Sequence, residues 1–539
     1  MDRRKKKSIL CKNLCGELSM EKKELKDMIP CIKKDPNGIP TLYINESPYL
    51  MLGGELHNSS SSSLEYMEKE VWPYLRQFSM NTVLLPIAWE NVEEVRGNFD
   101  FTLLRGIIKQ ARREKKKIVL LWFGLWKNGE SFYVPAWMKE DYKKFFRSCY
   151  VTGAPSDTIS PFCEAAVDAD KNAFCQLMKY LYEFDRDEQT VIMVQVENEI
   201  GFLGAERDFS IQAECKFYEQ IPSVMESFID EKNRKNINWE SAFGEDASEM
   251  FMAHYYAKAV EKIAAAGKHI YPLPMYANAW LKQHPERPGI YPSGGPVSSM
   301  LPIWKAVAPS LDFIAPDIYV PDFKRICEEY TRYDNALFIP EARRDPVTAS
   351  NVFWAIGGGN ALGFSPFAIE DFMREECVIA DETQLNALNI ESAAFNCNGT
   401  GPFLKRSYEI LSGILPQVLE RRGTNRIKAF IQSNPNERGT IIPMENYDIR
   451  LDYTNGKSGS AGLILEEKNG FFISGSNAKF QILPKTGSRQ FLTVVRMEEG
   501  IFQDGVWKKG RILNGDELHD QKLGDMAETK YIRICLHNV

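Results

Sequence analysis

Eight short apolar runs, separated by amphipathic stretches with helical spacing, constrain the fold of this chain more than any other feature of its sequence. Near-continuous apolar runs are typical of strands that are buried on both faces, as in parallel sheets covered by helices. Helical stretches such as LEYMEKEVWPYLRQF and FTLLRGIIKQARREKK supply the crossovers between them. The runs lie at residues 49–57, 81–90, 117–126, 190–201, 271–280, 311–320, 336–345 and 360–370.

Eight such units predict an α/β fold, a (β/α)8 TIM barrel with long insertions at residues 127–189 and 202–270. A doubly wound open sheet is disfavoured because no G-x-G-x-x-G follows the first run. Near residue 425 the pattern changes to short alternating segments punctuated by Asn-Gly, Gly-Ser and Asp-Gly turns, which predict an all-β sandwich. The predicted parts are an N-terminal arm at 1–40, the barrel at 41–424 and the smaller sandwich domain at 425–539.

Composition and charge narrow the classes of function. The formal net charge of −7 and the pI near 5.7 leave no basic field for nucleic acid. The 11 cysteines and 6 histidines are scattered without metal-ligand spacing, so we expect no metal and no organic cofactor. No run approaches the roughly 18 apolar residues of a membrane span, and the N-terminal segment lacks the apolar core of a signal peptide. With reduced thiols, these features predict a cytoplasmic protein that binds neither nucleic acid nor membranes.

A run of five serines, residues 59–63, follows the first apolar run and the pair His57 and Asn58. Ser62, with Glu65 three residues later, fits a capping box that starts a helix. We therefore expect the first strand-to-helix loop here, on the barrel face where barrel enzymes keep their chemistry. Two interpretations stay open for the serines: a flexible loop for substrate entry, or a solvated surface loop.

Two glutamates stand at the ends of predicted strands. The fourth run ends in QVENEIG and the seventh in IPEARRD, which deliver Glu199 and Glu341 to the mouth of the barrel. Hydrolysis of a glycosidic bond needs two carboxyl groups, one that protonates the leaving oxygen and one that meets the oxocarbenium-like carbon. Glu199 and Glu341 are the natural pair, and a separation of about 5 to 5.5 Å predicts a retaining mechanism.

The neighbours of this pair refine the roles. Asn198 is placed to donate its amide to a sugar 2-hydroxyl. Arg343 is expected on the strand face of Glu341, where its charge holds that carboxylate ionised; a solvated loop residue is the alternative. Strand alternation also places Glu197 on the face of Glu199, either as a partner that tunes the acid or as a member of a structural ion pair.

The segment VQVENEIG resembles the strand-four motif of glycoside hydrolase family 35, the β-galactosidases, in which Asn-Glu carries the acid/base. TVLLPIAWENVEEVRGNFDF and VPAWMK resemble the family's second-strand segment and the element after its third strand, and the pattern is also similar to family 42 of the same clan A. The resemblance covers about residues 40 to 425.

This resemblance implies a retaining exo-β-glycosidase that releases terminal β-linked galactose from small oligosaccharides or glycosides. Glu199 is then the acid/base and Glu341 the nucleophile of a double displacement, with no cofactor. The partner is a small-molecule carbohydrate, and association into a homo-oligomer is left open.

Two departures from the family bear on the sugar. The first run reads GGELHN, which keeps His57 but lacks the family's tyrosine, and the third run, LLWFGLW, lacks the glutamate that binds galactose in the family. Glu55 and Glu90, on adjacent strands, are the candidates to replace it. The alternatives are the same mechanism on a β-glucoside, β-fucoside or α-L-arabinopyranoside, and a non-catalytic carbohydrate-binding barrel.

Further sugar-binding candidates lie at or near strand ends. Aromatic rings there can stack on a pyranose, although large aromatics in a barrel are more often core. Tyr319 is favoured because enzymes of clan A often have a tyrosine that hydrogen-bonds the nucleophile. The remaining candidates are Trp89, Trp122, Trp280, Asn278, His57 and Asn58.

Overall fold

The computed structural model of the 539-residue chain describes residues 29–229, 238–375, 382, 385, 391–485 and 492–538. Most of the predicted N-terminal arm therefore lies outside the described residues. The described part begins with a three-stranded antiparallel sheet of Cys31–Lys34, Pro40–Ile44 and Ser47–Tyr49. Within these described ranges, no helix combines the length and apolar character needed to cross a membrane.

Six of the eight apolar runs pair in one parallel sheet, in chain order from edge to edge. Their side chains are almost all buried, because helices cover one face and the interior of the curled sheet covers the other. This confirms the prediction of a parallel α/β domain. The six strands are Thr82–Ala88, Lys117–Lys127, Val191–Asn198, Met275–Trp280, Phe313–Ile318 and Glu341–Ala342.

The first and eighth runs form a separate two-stranded parallel sheet of Met51–Leu52 and Gly363–Phe364. Single bridges, Glu55 to Leu84 and Ile339 to Phe364, join this pair to the two edges of the larger sheet. As a continuous ladder the barrel is therefore not closed. The backbones of the two segments approach closely at Gly53, where an added Cβ would lie 2.5 Å from the Ser365 hydroxyl.

The helices between the strands bury one apolar stripe each. The two longest, Glu164–Asp185 and Ala247–Ile270, pack against each other beside the sheet. The α-helices are Leu64–Tyr66, Trp72–Leu75, Trp89–Val92, Thr102–Arg113, Ala136–Lys139, Glu164–Asp185, Ile211–Tyr218, Trp239–Phe243, Ala247–Ile270, Leu301–Val307, Phe323–Glu329, Thr348–Gly357, Gly401–Ser412, Leu415–Arg421 and Asp516–His519. Short 3₁₀ segments are Ser60–Ser62, Ser223–Phe228, Gly244–Asp246, Arg332–Asp334, Ile369–Asp371, Ser392–Phe395 and Met526–Glu528, and Met67–Val71 is a π-helical turn.

The C-terminal region is an all-β domain of two antiparallel sheets, as predicted, with a core of its own between them that includes Ile449, Phe471 and Phe480. The helix Thr348–Gly357 packs against the larger of the two sheets and joins the domains. The larger sheet has the order Ile427–Ile431, Ala461–Glu467, Gly470–Ser476, Tyr531–Asn538, Leu492–Gln503 and Val506–Leu513; the smaller has Gly439–Pro443, Tyr447–Tyr453, Ala478–Pro484 and Lys522–Leu523. A further hairpin, Arg147–Cys149 with Pro155–Ile159, belongs to the third-strand insertion.

Candidate active site

The strands of the fourth and seventh apolar runs, Val191–Asn198 and Glu341–Ala342, border one cavity of about 460 Å³. Glu199 and Glu341 both line it, as the position of the two residues at strand ends predicts. Of the other predicted site residues, four line the same cavity: His57, Asn58, Trp280 and Tyr319. The residues that line it without having been predicted include Lys127, Asn128, Asp317, Arg344, Phe367 and Phe395.

Three buried carboxyl groups converge in this cavity. One oxygen from each of Glu199, Asp317 and Glu341 lies within 4.8 Å of the other two. The three residues are only 7%, 2% and 4% exposed, respectively. Asp317 escaped the sequence analysis, although it carries the signal that identified Glu199: a carboxyl group at the end of a buried parallel strand.

Glu341 accepts hydrogen bonds on both oxygens. The Tyr319 hydroxyl donates to Oε2 at 2.9 Å, and the amide of Asn198 donates to Oε1 at 3.2 Å. The Asn278 amide is a weaker third donor to Oε1 at 3.4 Å. Donors of this kind stabilise the charged form of a carboxyl group. The carboxyl group of Glu341 is therefore held in one orientation by donors from three side chains.

Arg343, which we expected to hold Glu341 ionised, has another partner. Its guanidinium forms two hydrogen bonds with the carboxylate of Asp345, at 2.7 and 2.8 Å, and donates a third to the Tyr319 carbonyl at 3.3 Å. A carboxylate two residues away matches the planar fork of arginine, so the side chain turns to it. This corrects the expected contact with Glu341, and Arg343 acts on the site at most through the backbone of Tyr319.

Glu199 has the opposite surroundings. Burial, and then the nearby charge of Glu341, raise the pKa of Glu199 to about 8, against smaller opposing effects of Lys127 and of a hydrogen bond with Asp317. The backbone N–H of Glu199 donates to Asn278 Oδ1 at 3.0 Å. A pKa of about 8 favours the protonated form of Glu199 at neutral pH.

Asn278 and Lys127 connect the carboxyl groups. The Asn278 amide donates to Asp317 Oδ2 at 2.7 Å while its oxygen accepts from Glu199. Lys127 Nζ donates to Asn198 Oδ1 at 3.0 Å and to Asn128 Oδ1 at 2.7 Å. Lys127 follows the third apolar run directly, and its buried charge partly balances the acidic groups.

Glu55 belongs to the same electrostatic group but has no exposed surface. Neither of its carboxyl oxygens has a hydrogen-bond partner among the described residues. Burial, followed by the charge of Glu341, raises the pKa of Glu55 well above its usual range. Glu55 is therefore a neutral buried acid rather than a side chain in the cavity lining, where its predicted sugar contact would require it.

The first strand-to-helix loop supplies His57 and Asn58 to the cavity. His57 Nε2 lies 2.7 Å from Asp371 Oδ2, and Arg344 holds the same carboxylate oxygen at 2.6 Å. These contacts fix the imidazole at the cavity edge, where its side chain is 38% exposed and open to a ligand. A histidine in that position suits a hydrogen bond to a sugar hydroxyl.

The serine run of this loop is partly anchored and partly solvated: Ser59, Ser62 and Ser63 are exposed, as the surface-loop interpretation expects, whereas the two serines between them are held. Ser60 and Ser61 are buried; Ser60 Oγ donates to Glu370 at 2.7 Å, and Ser61 Oγ donates to the Pro86 carbonyl. Helix capping falls one residue later than predicted, because Ser63 accepts the N–H of Tyr66. The small hydroxyl side chains tie the loop to its neighbours.

Trp89, Trp122 and Glu90 lie outside the cavity lining. Both indoles are fully buried: Trp89 Nε1 donates to Glu93 at 2.8 Å, and Trp122 Nε1 donates to Asp170 at 2.8 Å. Glu90 lies in the helix that begins at Trp89, and it pairs with Lys139 at 2.8 Å. These three predicted sugar contacts are corrected: the two rings belong to the core, and the carboxylate to a surface ion pair.

The chain is similar to known proteins, but these similarities do not assign it to a family. Residues 404–523 match a family model described as "Domain of unknown function (DUF5597)". None of the curated proteins matches this chain. The family match covers less than a quarter of the chain and lies mostly in the β domain.

Among solved structures, the chain is similar to two β-galactosidases and a mannosidase. The β-galactosidase of Rahnella sp. R3 is 13% identical with a TM-score of 0.44, over 68% of this chain and 57% of that one. The β-galactosidase of the psychrophilic Marinomonas ef1 is 10% identical with a TM-score of 0.44, over 70% and 61%. The exo-β-1,4-mannosidase Op5Man5 of Opitutaceae bacterium strain TAV5 is 11% identical with a TM-score of 0.40, over 72% and 62%. The chain thus spans about three fifths of each.

Proposed function

We propose that the protein is a retaining β-glycosidase in which Glu199 is the general acid/base and Glu341 the nucleophile. One observation carries the proposal: two buried carboxyl groups share a cavity, and they have different surroundings. The pKa of Glu199 is raised to about 8, as a general acid requires, whereas both oxygens of Glu341 accept hydrogen bonds that orient the group for attack. We also propose that the eight strands, joined by single bridges at two seams, work as one barrel.

The first chemical step uses both carboxyl groups. A Glu341 oxygen forms a bond to the anomeric carbon as the glycosidic C–O bond breaks, and the proton of Glu199 passes to the leaving oxygen. Tyr319 and Asn198 hold the carboxylate of Glu341 so that it faces the cavity. The products of this step are the free aglycone alcohol and a glycosyl ester on Glu341.

The second step returns the enzyme. Glu199, now a carboxylate, takes a proton from water, and the water oxygen displaces Glu341 from the anomeric carbon with the bonding electrons returning to the carboxylate. Asp317, which is buried beside Glu199 and whose pKa is raised by burial and by the charge of Glu341, can donate a hydrogen bond to that carboxylate. Asp317 thereby stabilises the charge that Glu199 acquires between the two steps.

The separation of the carboxyl groups supports retention of configuration. Inverting glycosidases leave about 6.5 to 9.5 Å between their carboxyl groups to admit a water, whereas retaining enzymes have about 5 to 5.5 Å. One oxygen of Glu199 and one of Glu341 come within 4.8 Å of each other, a close approach that agrees with the shorter separation of retaining enzymes.

We propose a terminal β-linked galactoside as the substrate. The proposal rests on the resemblance of the VQVENEIG segment, since that motif carries the Asn-Glu pair of the β-galactosidases. The lining of the cavity suits a neutral sugar, because His57, Asn58 and Lys127 offer polar contacts and Trp280 offers an aromatic surface. A cavity of about 460 Å³ suits one or two sugar units, so we expect exo action on small glycosides.

The test is hydrolysis of nitrophenyl β-galactoside, β-glucoside, β-fucoside and α-L-arabinopyranoside by the purified protein, beside Glu341→Gln. We expect turnover of the galactoside, and a loss of at least about 10⁴-fold in kcat for the variant, with its melting temperature unchanged. Glu90→Gln is the matched control, because it makes the same change outside the cavity. Turnover of another glycoside alone would change the substrate and keep the mechanism; full activity in Glu341→Gln would refute the mechanism.

A further inference from the structure

A second pair of carboxyl groups lies behind the proposed active site and takes no part in its chemistry. Glu197 stands two residues before Glu199, and ideal strand alternation would point both into the cavity. Instead Glu197 has φ of +63°, which turns its carboxyl group toward Asp170 on the helix Glu164–Asp185. Both Glu197 and Asp170 are fully buried.

The hydrogen-bond donors around this pair are unequally shared. Asp170 accepts the Trp122 indole N–H on Oδ1 at 2.8 Å and the Leu125 N–H on Oδ2 at 3.0 Å. Glu197 accepts the Trp126 N–H on Oε2 at 2.7 Å. Its Oε1 accepts no hydrogen bond from any described residue. Asp170 is thus supplied with donors on both oxygens and Glu197 on one.

The unsupplied oxygen faces the other carboxyl group across a glycine. A Cβ at Gly124 would lie 2.5 Å from both Glu197 Oε1 and Asp170 Oδ2, so the two oxygens converge on the space that the missing side chain leaves. A carboxylate pair without hydration is strongly unfavourable. The charge of Glu93 also acts on Asp170, and because it is negative it adds to the repulsion. A proton shared between Glu197 Oε1 and Asp170 Oδ2 removes this repulsion and gives both oxygens a hydrogen bond.

We infer that Glu197 carries a proton that it donates to an ionised Asp170, and that this pair positions the strand end that presents Asn198 and Glu199. Burial, and then the charge of Asp170, raise the pKa of Glu197 well above its usual range, which agrees with this assignment. The positioning role rests on the proposed function, whereas the protonation of the pair does not.

The strand end needs such support because its backbone is strained. Glu197 and Glu199 have φ of +63° and +44°, a region that residues with side chains seldom occupy and that persists only where the surroundings hold it. The pair supplies that support by joining three elements: the third strand through Trp126, the fourth through Glu197 and the helix through Asp170. Glu197 and Asp170 are therefore positioning residues that act on the acid through the backbone.

Amide isosteres test the assignment, because the two positions should respond differently. In Glu197→Gln the new N–H₂ group takes the place of Oε1 and donates to Asp170, while the amide oxygen still accepts from Trp126. In Asp170→Asn an N–H₂ group must face the Trp122 indole N–H or the Leu125 N–H, two donors. At pH about 4, where Glu197 is largely protonated in the unfolded chain as well, we expect Glu197→Gln to melt within about 1 °C of the wild type and Asp170→Asn to melt at least about 3 °C lower. Asp168→Asn, on the exposed face of the same helix, is the matched control.

The pH dependence of melting gives a second test. An acid whose pKa is raised in the folded protein contributes stability fully below its unfolded pKa, near about 4.3, and loses it as pH rises through the folded value. The melting temperature of the wild type relative to Glu197→Gln should therefore fall steadily from acidic to alkaline pH. Equal losses in both isosteres, or a difference independent of pH, would overturn the shared proton.

The positioning role is read from kinetics. With the galactoside, we expect Glu197→Gln to keep kcat within about threefold and Asp170→Asn to lower kcat with little change in KM. Full kcat in Asp170→Asn would overturn the positioning role. If no glycoside is hydrolysed, the proposed function fails, and the melting experiments still decide the proton assignment.

Discussion

Two pairs of carboxyl groups lie side by side at the end of the fourth strand, and they differ in what surrounds them. Glu199 and Glu341 face a cavity, where a substrate and water can reach them. Glu197 and Asp170 are closed in by tryptophans, a helix and backbone N–H groups. In the proposed function, two neighbouring acids transfer protons in one place, and in the other two neighbouring acids fix the geometry of the strand end.

The difference shows that residue type alone does not define a catalytic carboxyl group. Both pairs have an acid whose pKa is raised by burial. Only Glu199 can pass its proton to a bound molecule, because only its side chain lies in the cavity lining. Access to the cavity separates the two roles, because the carboxyl group of Glu199 lines it whereas that of Glu197 is turned toward Asp170.

Removing the acid of the cavity pair should have the largest effect after loss of the nucleophile. In Glu199→Gln no proton reaches the leaving oxygen, so kcat/KM for an alkyl galactoside should fall by about 10²- to 10⁴-fold. A dinitrophenyl leaving group needs little protonation and should lose far less in its bond-breaking step. The measurement is kcat/KM across a series of leaving groups. An equal loss for every leaving group would remove Glu199 from the acid role.

A larger residue at Gly124 should crowd the buried pair of Glu197 and Asp170, and its main effect should be on stability rather than activity. Gly124→Ala places a methyl group 2.5 Å from Asp170 Oδ2 and Glu197 Oε1, so we expect a loss of at least about 2 kcal/mol in the free energy of unfolding. Denaturant unfolding measures it. Gly524→Ala is the control, since a Cβ there would meet nothing within 4 Å. Wild-type stability in Gly124→Ala would contradict the close approach of the two acids.

The pH profile separates the two pairs further. Glu199 must be protonated to act, and its pKa is raised to about 8, so kcat/KM should fall about tenfold per pH unit above that value. Glu197→Gln should leave this alkaline limb in place, because Glu197 and Asp170 exchange no proton with the substrate. If the alkaline limb disappeared in Glu197→Gln, the two pairs of acids would have to share protons, which contradicts their separate roles.

Lys127 offers the smallest and most selective change. Its charge lowers the pKa of Glu199, so Lys127→Met should move the alkaline limb of kcat/KM upward, by up to about one pH unit. Lys139→Met, which breaks the surface pair with Glu90, is the matched control and should leave the limb unchanged. A downward shift in Lys127→Met would contradict the electrostatic description of the site.

The sequence was informative where simple periodicity holds. Continuous apolar runs located the six strands of the large sheet, and the rule that chemistry sits at the carboxyl ends of parallel strands located Glu199 and Glu341. Asp317 was available to the same rule and was missed. The apolar pattern overstated the first and eighth strands, which span only two residues each, Met51–Leu52 and Gly363–Phe364.

Predictions from alternation failed where the backbone leaves the ideal strand. Glu197 was expected beside Glu199, but a positive φ turns it into the core. Arg343 was expected at Glu341, but a nearby aspartate pairs with it. Trp122 was expected to contact a sugar, but its indole N–H donates to Asp170, a partner about 50 residues away in sequence. Such choices depend on which donor and acceptor meet in space.

The most direct test of the account is the anomeric configuration of the first sugar released. Proton NMR of a fresh reaction with a β-galactoside separates the α and β anomers before they interconvert. Two displacements, at Glu341 and then at water, predict that the β anomer appears first. The α anomer appearing first, or no release of sugar from any β-glycoside, would contradict the assignment of Glu199 and Glu341 as a retaining pair.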